Sequence, residues 1–470
     1  MKRLMLVLLS LGFVMILSAS AFAVDVKVGA EYYAGGVYLN RIDVSGGHNG
    51  YDDADNFDHQ STAFFFQRLR VGTDFIVSPG LKLVTRFDAM QRIWGGARSN
   101  PSYNGYYYNA DDSGYNYAVS AGRRAEAENI AFDLAYVQYA SPVGTFNVGY
   151  QIDGTWGTVF GDSSMPQGMI GWSLQKGAFT YLAQFVKVSD ESASAVNTGV
   201  TTTDLDYDKY IAGLIYGWKG GEAGARLSFV RSATWKADGY PNGSLIDVLS
   251  LNPYVKTKIG PVTVQAEVNY FWGYEKGEDS GTTYNAKYEA FNVFVDAAAN
   301  FGMFNVGGTV AYLTGDNPAT DDKKEGGYYA NYYSAVYGGG LDWNPCLIMF
   351  NSDVVNYWVG GINSNHNDDN VGGPMNNALF LQGRIGVKPT PQWDVLLSLS
   401  YAQADKKPED YVGGTYGTEV DLTATYKITN NLSYMIGAGY LFTGDYFKGE
   451  CDNGIVKDDF IVINKLTLNF

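Results

Sequence analysis

Beyond its first residues the chain alternates apolar and polar positions with a period of two. In PVTVQAEVNYFW, Val262, Val264, Ala266, Val268, Tyr270 and Trp272 alternate with Thr263, Gln265, Glu267 and Asn269. In TEVDLTATYKI, Val420, Leu422, Ala424 and Tyr426 alternate with Glu419, Asp421, Thr423, Thr425 and Lys427. Successive side chains of a strand point to opposite faces, so each segment has one apolar and one polar face. Gly, Pro and Asn chemistry marks tight turns between such runs at Ser78 to Gly80, Ser141 to Gly144, Gln175 to Ala178 and Trp218 to Ala223. The same chemistry recurs at Lys258 to Pro261, Asn300 to Met303, Thr390 to Gln392 and Thr429 to Asn431. Longer polar segments, among them 43–61, 96–128, 190–205 and 315–375, alternate with these turns along the chain.

Eight short turns and nine longer connections predict eighteen strands, with both termini on the short-turn side. Alternation alone fits a soluble sandwich as well. The short and long connections in turn, and the even strand count, are the layout of a bacterial outer-membrane barrel, with short periplasmic turns and long extracellular loops. After the first segment no apolar run reaches the ~20 residues that a spanning helix needs. The predicted fold is therefore an all-β, transmembrane, antiparallel up-and-down β-barrel over residues 24–470. The stretch 341–375 fits this pattern least, because LDWNPCLIMFNSDVVNYWVGG is too apolar for a solvated loop. A loop folded into the lumen, a short helix or a further strand pair would each account for it, so sixteen or twenty strands stay open.

The first 23 residues read as a cleaved secretory signal peptide: Lys2 and Arg3, an apolar run, then small residues ending at Ala21 and Ala23. Composition agrees with an exported strand protein, because 57 Gly, 37 Tyr, 25 Phe and 9 Trp suit turns, pleated surfaces and interfacial aromatic girdles. A net charge of −16 makes a nucleic-acid partner a poor expectation. Two cysteines, Cys346 and Cys451, are too few for a disulfide scaffold, and their pairing is open.

Little points to catalysis. His48, His59 and His366 all fall in polar segments assigned to loops, and no zinc-protease, CxxC, GxSxG or Walker pattern is present. The acidic clusters Tyr51 to Asp58 and Gly315 to Glu325 lack the Gly and terminal Glu of a calcium loop or are mixed with lysine. No enzyme activity, metal or cofactor is expected.

The sharpest chemistry is in FFFQRLRVGTDF. On a strand, Arg68, Arg70 and Asp74 share one face, opposite Phe65, Leu69, Val71 and Phe75. On the next strand Arg86, Asp88 and Arg92 share a face in the same alternation. Arg or Lys facing lipid at mid-membrane costs ~2–4 kcal/mol each, so this face is expected to line a wet lumen, where rows of charge set ion preference. An internal charge network pinning the strands is the structural alternative. Asp133, Gln151, Arg226, Glu267, Asp296 and Arg384 are expected to complete the wall. Gln67 faces outward in this phase, which a place near the rim or in a subunit interface would explain. The compact, aromatic segment Gly154 to Trp172, with Trp156 and Asp162, is a candidate inward-folded constriction loop, an external loop being the other reading.

At FQRLR (Phe66 to Arg70), WGTVFGD (Trp156 to Asp162) and the terminal LTLNF (Leu466 to Phe470), the chain resembles the outer-membrane homotrimeric porins of Gram-negative bacteria. More distantly it is similar to eighteen-stranded alginate-export channels. The resemblance implies a homotrimer of barrels in outer-membrane lipid, passing ions and small hydrophilic solutes, with Phe470 read by the barrel-assembly machinery. The rival expectations are a channel specific for an acidic solute or oligosaccharide, and an adhesive surface barrel without transport.

Overall fold

The computed structural model describes residues 24–44, 61–95, 130–195, 199, 203–233, 244–279, 282–320, 322–326, 330–331, 334–335, 339–362, 372–450 and 455–470. The expected signal peptide, the three histidines, the acidic stretch 51–58 and Cys451 lie outside the described residues.

Alternation produces the expected architecture. Eighteen long antiparallel strands form one closed sheet. The first nine are β1 (Asp25–Leu39), β2 (Thr62–Ser78), β3 (Leu81–Ile93), β4 (Ala131–Ser141), β5 (Gly144–Asp153), β6 (Met165–Lys176), β7 (Phe179–Asp190), β8 (Asp206–Trp218) and β9 (Gly221–Ser232). There follow β10 (Ser244–Ile259), β11 (Val262–Asp279), β12 (Thr282–Phe301), β13 (Phe304–Leu313), β14 (Ala378–Val387), β15 (Trp393–Ala404), β16 (Thr415–Lys427), β17 (Leu432–Thr443) and β18 (Asp459–Asn469). The barrel closes where β1 pairs with β2 on one side and with β18 on the other, from Glu31 opposite Asn469 to Leu39 opposite Ile461.

All eight short turns fall where the Gly, Pro and Asn signals put them. Gly80 and Gly260 hold the left-handed backbone that their turns require, with φ of 80° and 60°. One connection on the loop side is not long. β11 ends at Asp279 and β12 begins at Thr282, and their 18 and 20 residues make an extended hairpin.

The apolar face of each amphipathic strand points outward, as β11 illustrates: Val268 and Tyr270 are exposed while Glu267, Asn269 and Phe271 on the alternate face are buried. Aromatic pairs ring both ends of this outer face. Phe179 with Tyr216 and Trp393 with Tyr426 lie at the short-turn end, with ring centroids 5.0 and 4.9 Å apart; Phe65 with Trp94 and Tyr440 with Phe442 lie at the loop end, 5.4 and 4.8 Å apart. These are the two girdles of a membrane barrel.

The segment 341–375 resolves the ambiguity of its sequence. It adds no strand pair to the barrel wall. Residues 341–362 fold inward as a loop containing a short helix, Ser352–Val359, whose first turn is capped by Asn351 accepting from Val354 and Val355 N–H. Its Ile348, Met349, Phe350, Val355 and Trp358 pack on inward side chains of β1, β2, β14, β16 and β18, including Tyr33, Phe66, Phe380, Tyr416 and Ile463. Burial of this kind contributes about 1.5–3 kcal/mol per large apolar side chain. It also explains why FFF at 64–66 is apolar throughout: Phe65 faces outward, and Phe64 and Phe66 face the loop.

Candidate functional site

Among the described residues, two loop segments that enter the barrel are each held by a wall carboxylate. The first follows β5. Gly157 and Gly161 lie so close to Glu267 that a Cβ on either would stand 2.5 or 2.6 Å from its carboxylate, and a side chain at either place would push that carboxylate aside. That approach lets Glu267 accept from Thr158 N–H at 2.8 Å and from the Thr158 hydroxyl at 2.9 Å. Trp156 donates its indole N–H to the Asn252 carbonyl at 2.9 Å, and Phe160 stacks on Phe294 with centroids 5.1 Å apart. Asp162 accepts from Trp156 N–H at 3.3 Å; burial, reinforced by nearby Asp342, raises its carboxyl above the usual carboxylate range. The inward segment is shorter than Gly154 to Trp172, because Met165–Lys176 already forms β6.

The second loop is clasped by Glu419 on β16, whose two oxygens accept from Ile348 N–H at 2.7 Å and Met349 N–H at 2.8 Å. Farther along, Trp358 stacks on Phe66 with centroids 4.8 Å apart. The two loops are also joined to each other. Gly340 N–H donates to the Phe160 carbonyl at 2.6 Å, Leu341 N–H to the Ser163 hydroxyl at 3.0 Å, and the Ser164 hydroxyl to Asp342 at 2.6 Å. Trp343 meets Phe160, Phe294 and Phe380 edge-on at 5.2, 5.4 and 5.8 Å. The result is a continuous bridge of chain inside the barrel, from the β10–β12 wall to the β16–β18 and β1–β2 wall.

Away from the bridge, β1 to β4 present a charged inner face. Arg70 makes two hydrogen bonds of 2.7 Å to Asp88 and lies 3.6 Å from Asp133. Arg86 binds Asp133 at 2.6 Å, Arg68 binds Glu31 at 3.0 Å, and Lys82 binds Asp74 at 2.7 Å. Bidentate guanidinium–carboxylate geometry of this kind orients both groups. The side chains of Arg68, Arg70 and Arg86 keep 18%, 26% and 20% of their surface exposed, so the network faces solvent inside the barrel. A concavity of about 280 Å³ beside it has Gly29 opposite Gly72 as bare floor, with Lys27, Asp74 and Arg86 around it. On the far wall Arg384 binds Asp296 at 2.6 Å and the Thr309 hydroxyl at 2.5 Å. Arg226 lies over the Trp156 ring at 5.4 Å.

Three expected wall residues are placed otherwise. Arg92 does not join the arginine face: a bulge at Met90, with φ of 52°, shifts the register of β3 and sets Arg92 opposite outward-facing Gln67. Gln67 itself accepts from the Trp94 indole at 2.8 Å, at the loop end of β3. Gln151 is buried, donating to the Asn147 and Met169 carbonyls, and Glu267 is buried under the first loop. Both point inward, but neither presents a free surface to the lumen. Sequence reasoning left Glu31 and Lys82 out of the site set, although the spacing of Lys27 and Glu31 puts them on one face with Tyr33. Glu419 also looked like an ordinary wall residue.

No protein-family model matches the chain, and no curated protein sequence matches it. Solved structures do. OccK9 (OpdG) of Pseudomonas aeruginosa aligns with a TM-score of 0.51 at 12% identity, over 95% of this chain and 99% of that one. The outer membrane protein opdK of the same organism aligns at 0.50 and 10% identity, over 94% and 99%. OpdK determined with vanillate gives 0.50 and 11%, again over 94% and 99%. At these identities the likeness is one of fold: the chain is an eighteen-stranded β-barrel built like those Pseudomonas barrels.

Proposed function

We propose that this chain is an outer-membrane channel through which ions and small hydrophilic solutes diffuse, narrowed by two inward loops and lined on one side by paired charges. The observation that carries the reading is the Arg68, Arg70 and Arg86 network on the inner face. Partly exposed charges have no place in a dry interior, and eighteen strands enclose more space than wall side chains fill. Export by residues 1–23, recognition of Phe470 by the assembly machinery and a homotrimeric state belong to the same proposal. They rest on the sequence and its resemblance to porins.

A second reading, selectivity for one class of acidic solute, is favoured by the hydrogen-bonded bridge between the loops, which leaves less room than an open porin lumen. A neighbour of this fold was solved with vanillate, an aromatic carboxylate. Liposome swelling separates the readings. A diffusion channel admits neutral sugars in order of size, whereas a specific channel admits one carboxylate much faster than a neutral solute of equal size. Swelling no faster than in empty liposomes, for every solute, overturns both.

A further inference from the structure

Below the aromatic packing of the second loop lies a chemical cluster that the channel reading does not use. Glu419 and Asp421 sit two residues apart on the inner face of β16, and the loop brings Cys346 down onto them. One ligand atom from each of the three lies within 4.8 Å of the other two, and the three residues are 0%, 4% and 3% exposed. Cys346 is a free thiol. We propose that Cys346, Glu419 and Asp421 form a binding site for a thiophilic divalent cation of the zinc class, which fastens the second inward loop to the barrel wall.

Two independent observations point to a ligand there. Asp421 is buried, and while its carboxylate is reached by the Leu347 N–H and, at Oδ2, by the Ser398 hydroxyl at 3.4 Å, its Oδ1 has no partner among the described donors. Buried acceptors are satisfied as a rule, so an orphaned oxygen on a carboxylate that neighbours a thiol and a second carboxylate asks for a partner. Charge is the other. Two carboxylates are shut away from water side by side, and among the described residues no Lys or Arg forms an ion pair with either. Two buried carboxyls side by side need a proton shared between them, and the two side chains are hydrogen-bonded to each other in that way; a dication in place of the proton would hold both and the thiolate as well.

The donor set selects the metal. Calcium and magnesium take all-oxygen shells, whereas zinc accepts Cys sulfur together with Asp and Glu oxygen in a four-coordinate site. Both Glu419 oxygens already accept a backbone N–H, and each retains a lone pair for a metal. The buried hydroxyl of Ser400, which hydrogen-bonds the thiol, stands where it can orient the sulfur or supply a further ligand. Binding deprotonates the thiol, the proton leaving to solvent as the thiolate–metal bond forms.

The test uses the folded, full-length barrel in detergent, freed of metal, titrated with Zn²⁺ against a chromophoric chelator and separately with Co²⁺. One zinc per barrel is expected, together with a near-ultraviolet thiolate-to-cobalt charge-transfer band, and both should persist in Cys451→Ser. Cys346→Ala should abolish the band, and Cys346→Ala and Asp421→Asn should each weaken zinc binding by more than about tenfold. Heat-modifiable gel mobility identifies which variants are folded. Asp421→Asn keeps the shape of its side chain and decides the matter if Cys346→Ala does not fold. Absence of zinc uptake by folded wild type overturns the proposal. So does unchanged affinity in the folded variants, which would put the ion on the acidic loops instead.

Discussion

Arg70 of β2 and Asp88 of β3 face each other across the strand pair, and the guanidinium donates two hydrogen bonds of 2.7 Å to the two carboxylate oxygens. The arginine row that the sequence suggests is therefore a row of ion pairs, in which Glu31, Asp88 and Asp133 answer Arg68, Arg70 and Arg86. Its fixed charge is close to balanced, so this wall contributes local dipoles and hydrogen-bond donors rather than a strong net field.

That balance predicts how selectivity responds to mutation. Arg70→Ser leaves Asp88 uncompensated and should move the reversal potential in a salt gradient toward cation preference. Arg70→Ser combined with Asp88→Ser should return it close to the wild-type value. Identical potentials in all three proteins would remove the network from the conduction path. The single change Arg70→Ser also deletes one partner of a charge-assisted bond, so a loss of about 1–3 kcal/mol in stability is expected.

Trp358 anchors the far half of the second loop through its stack on Phe66, and it is 1% exposed. Trp358→Ala should cost ~3–5 kcal/mol of local stability. With the bridge loosened, residues 341–362 should become sensitive to protease added from the loop side, and conductance should rise. A conductance equal to wild type, in a barrel cut within 341–362, would mean that this loop does not narrow the lumen.

Acid should tighten the contact between the two loops. Burial and the neighbouring Asp342 raise the Asp162 carboxyl above its unfolded value, against the lowering effects of Trp156 N–H, Lys256 and Arg226. A group with a raised folded-state value binds its proton more firmly in the native state, so its penalty is present at neutral pH and disappears as pH falls through that value. Open-channel current noise should therefore decrease as pH is lowered through the raised value of this carboxyl. Asp162→Asn, which keeps the acceptor to Trp156, should show the quiet behaviour at every pH. Noise in Asp162→Asn with the same pH dependence as wild type would assign the effect to another group.

Much of the barrel was legible because its determinants are local. Turn chemistry such as Ser78 to Gly80 acts within a few residues, and the membrane enforces outward apolar alternation residue by residue, as Val268 and Tyr270 illustrate. The bulge at Met90 left only a short trace, two apolar residues (Ala89, Met90) followed by two polar ones (Gln91, Arg92), where the backbone slips by a residue and strict alternation carried past it gives the wrong face. Hence Arg92 was assigned to the wrong face. The loop anchors were hidden for another reason: Glu267 and Glu419 have the spacing of wall residues, and the segments that cover them are 109 and 71 residues away along the chain. The signal that could have found the second contact was present in the excess of apolar residues. FFF at 64–66, the run 341–362 and the inward Ile461 and Ile463 of the last strand are apolar where a wall facing only water would be polar.

The central claim, a water-filled passage through this barrel, is tested most directly by recording current across a planar bilayer as purified, folded protein is added. Discrete upward steps of uniform size, growing with salt concentration and larger in Trp358→Ala, are the predicted result. A bilayer that stays silent while protease protection and heat-modifiable mobility show folded barrels inserted in it would contradict the account, and would leave a surface barrel without transport.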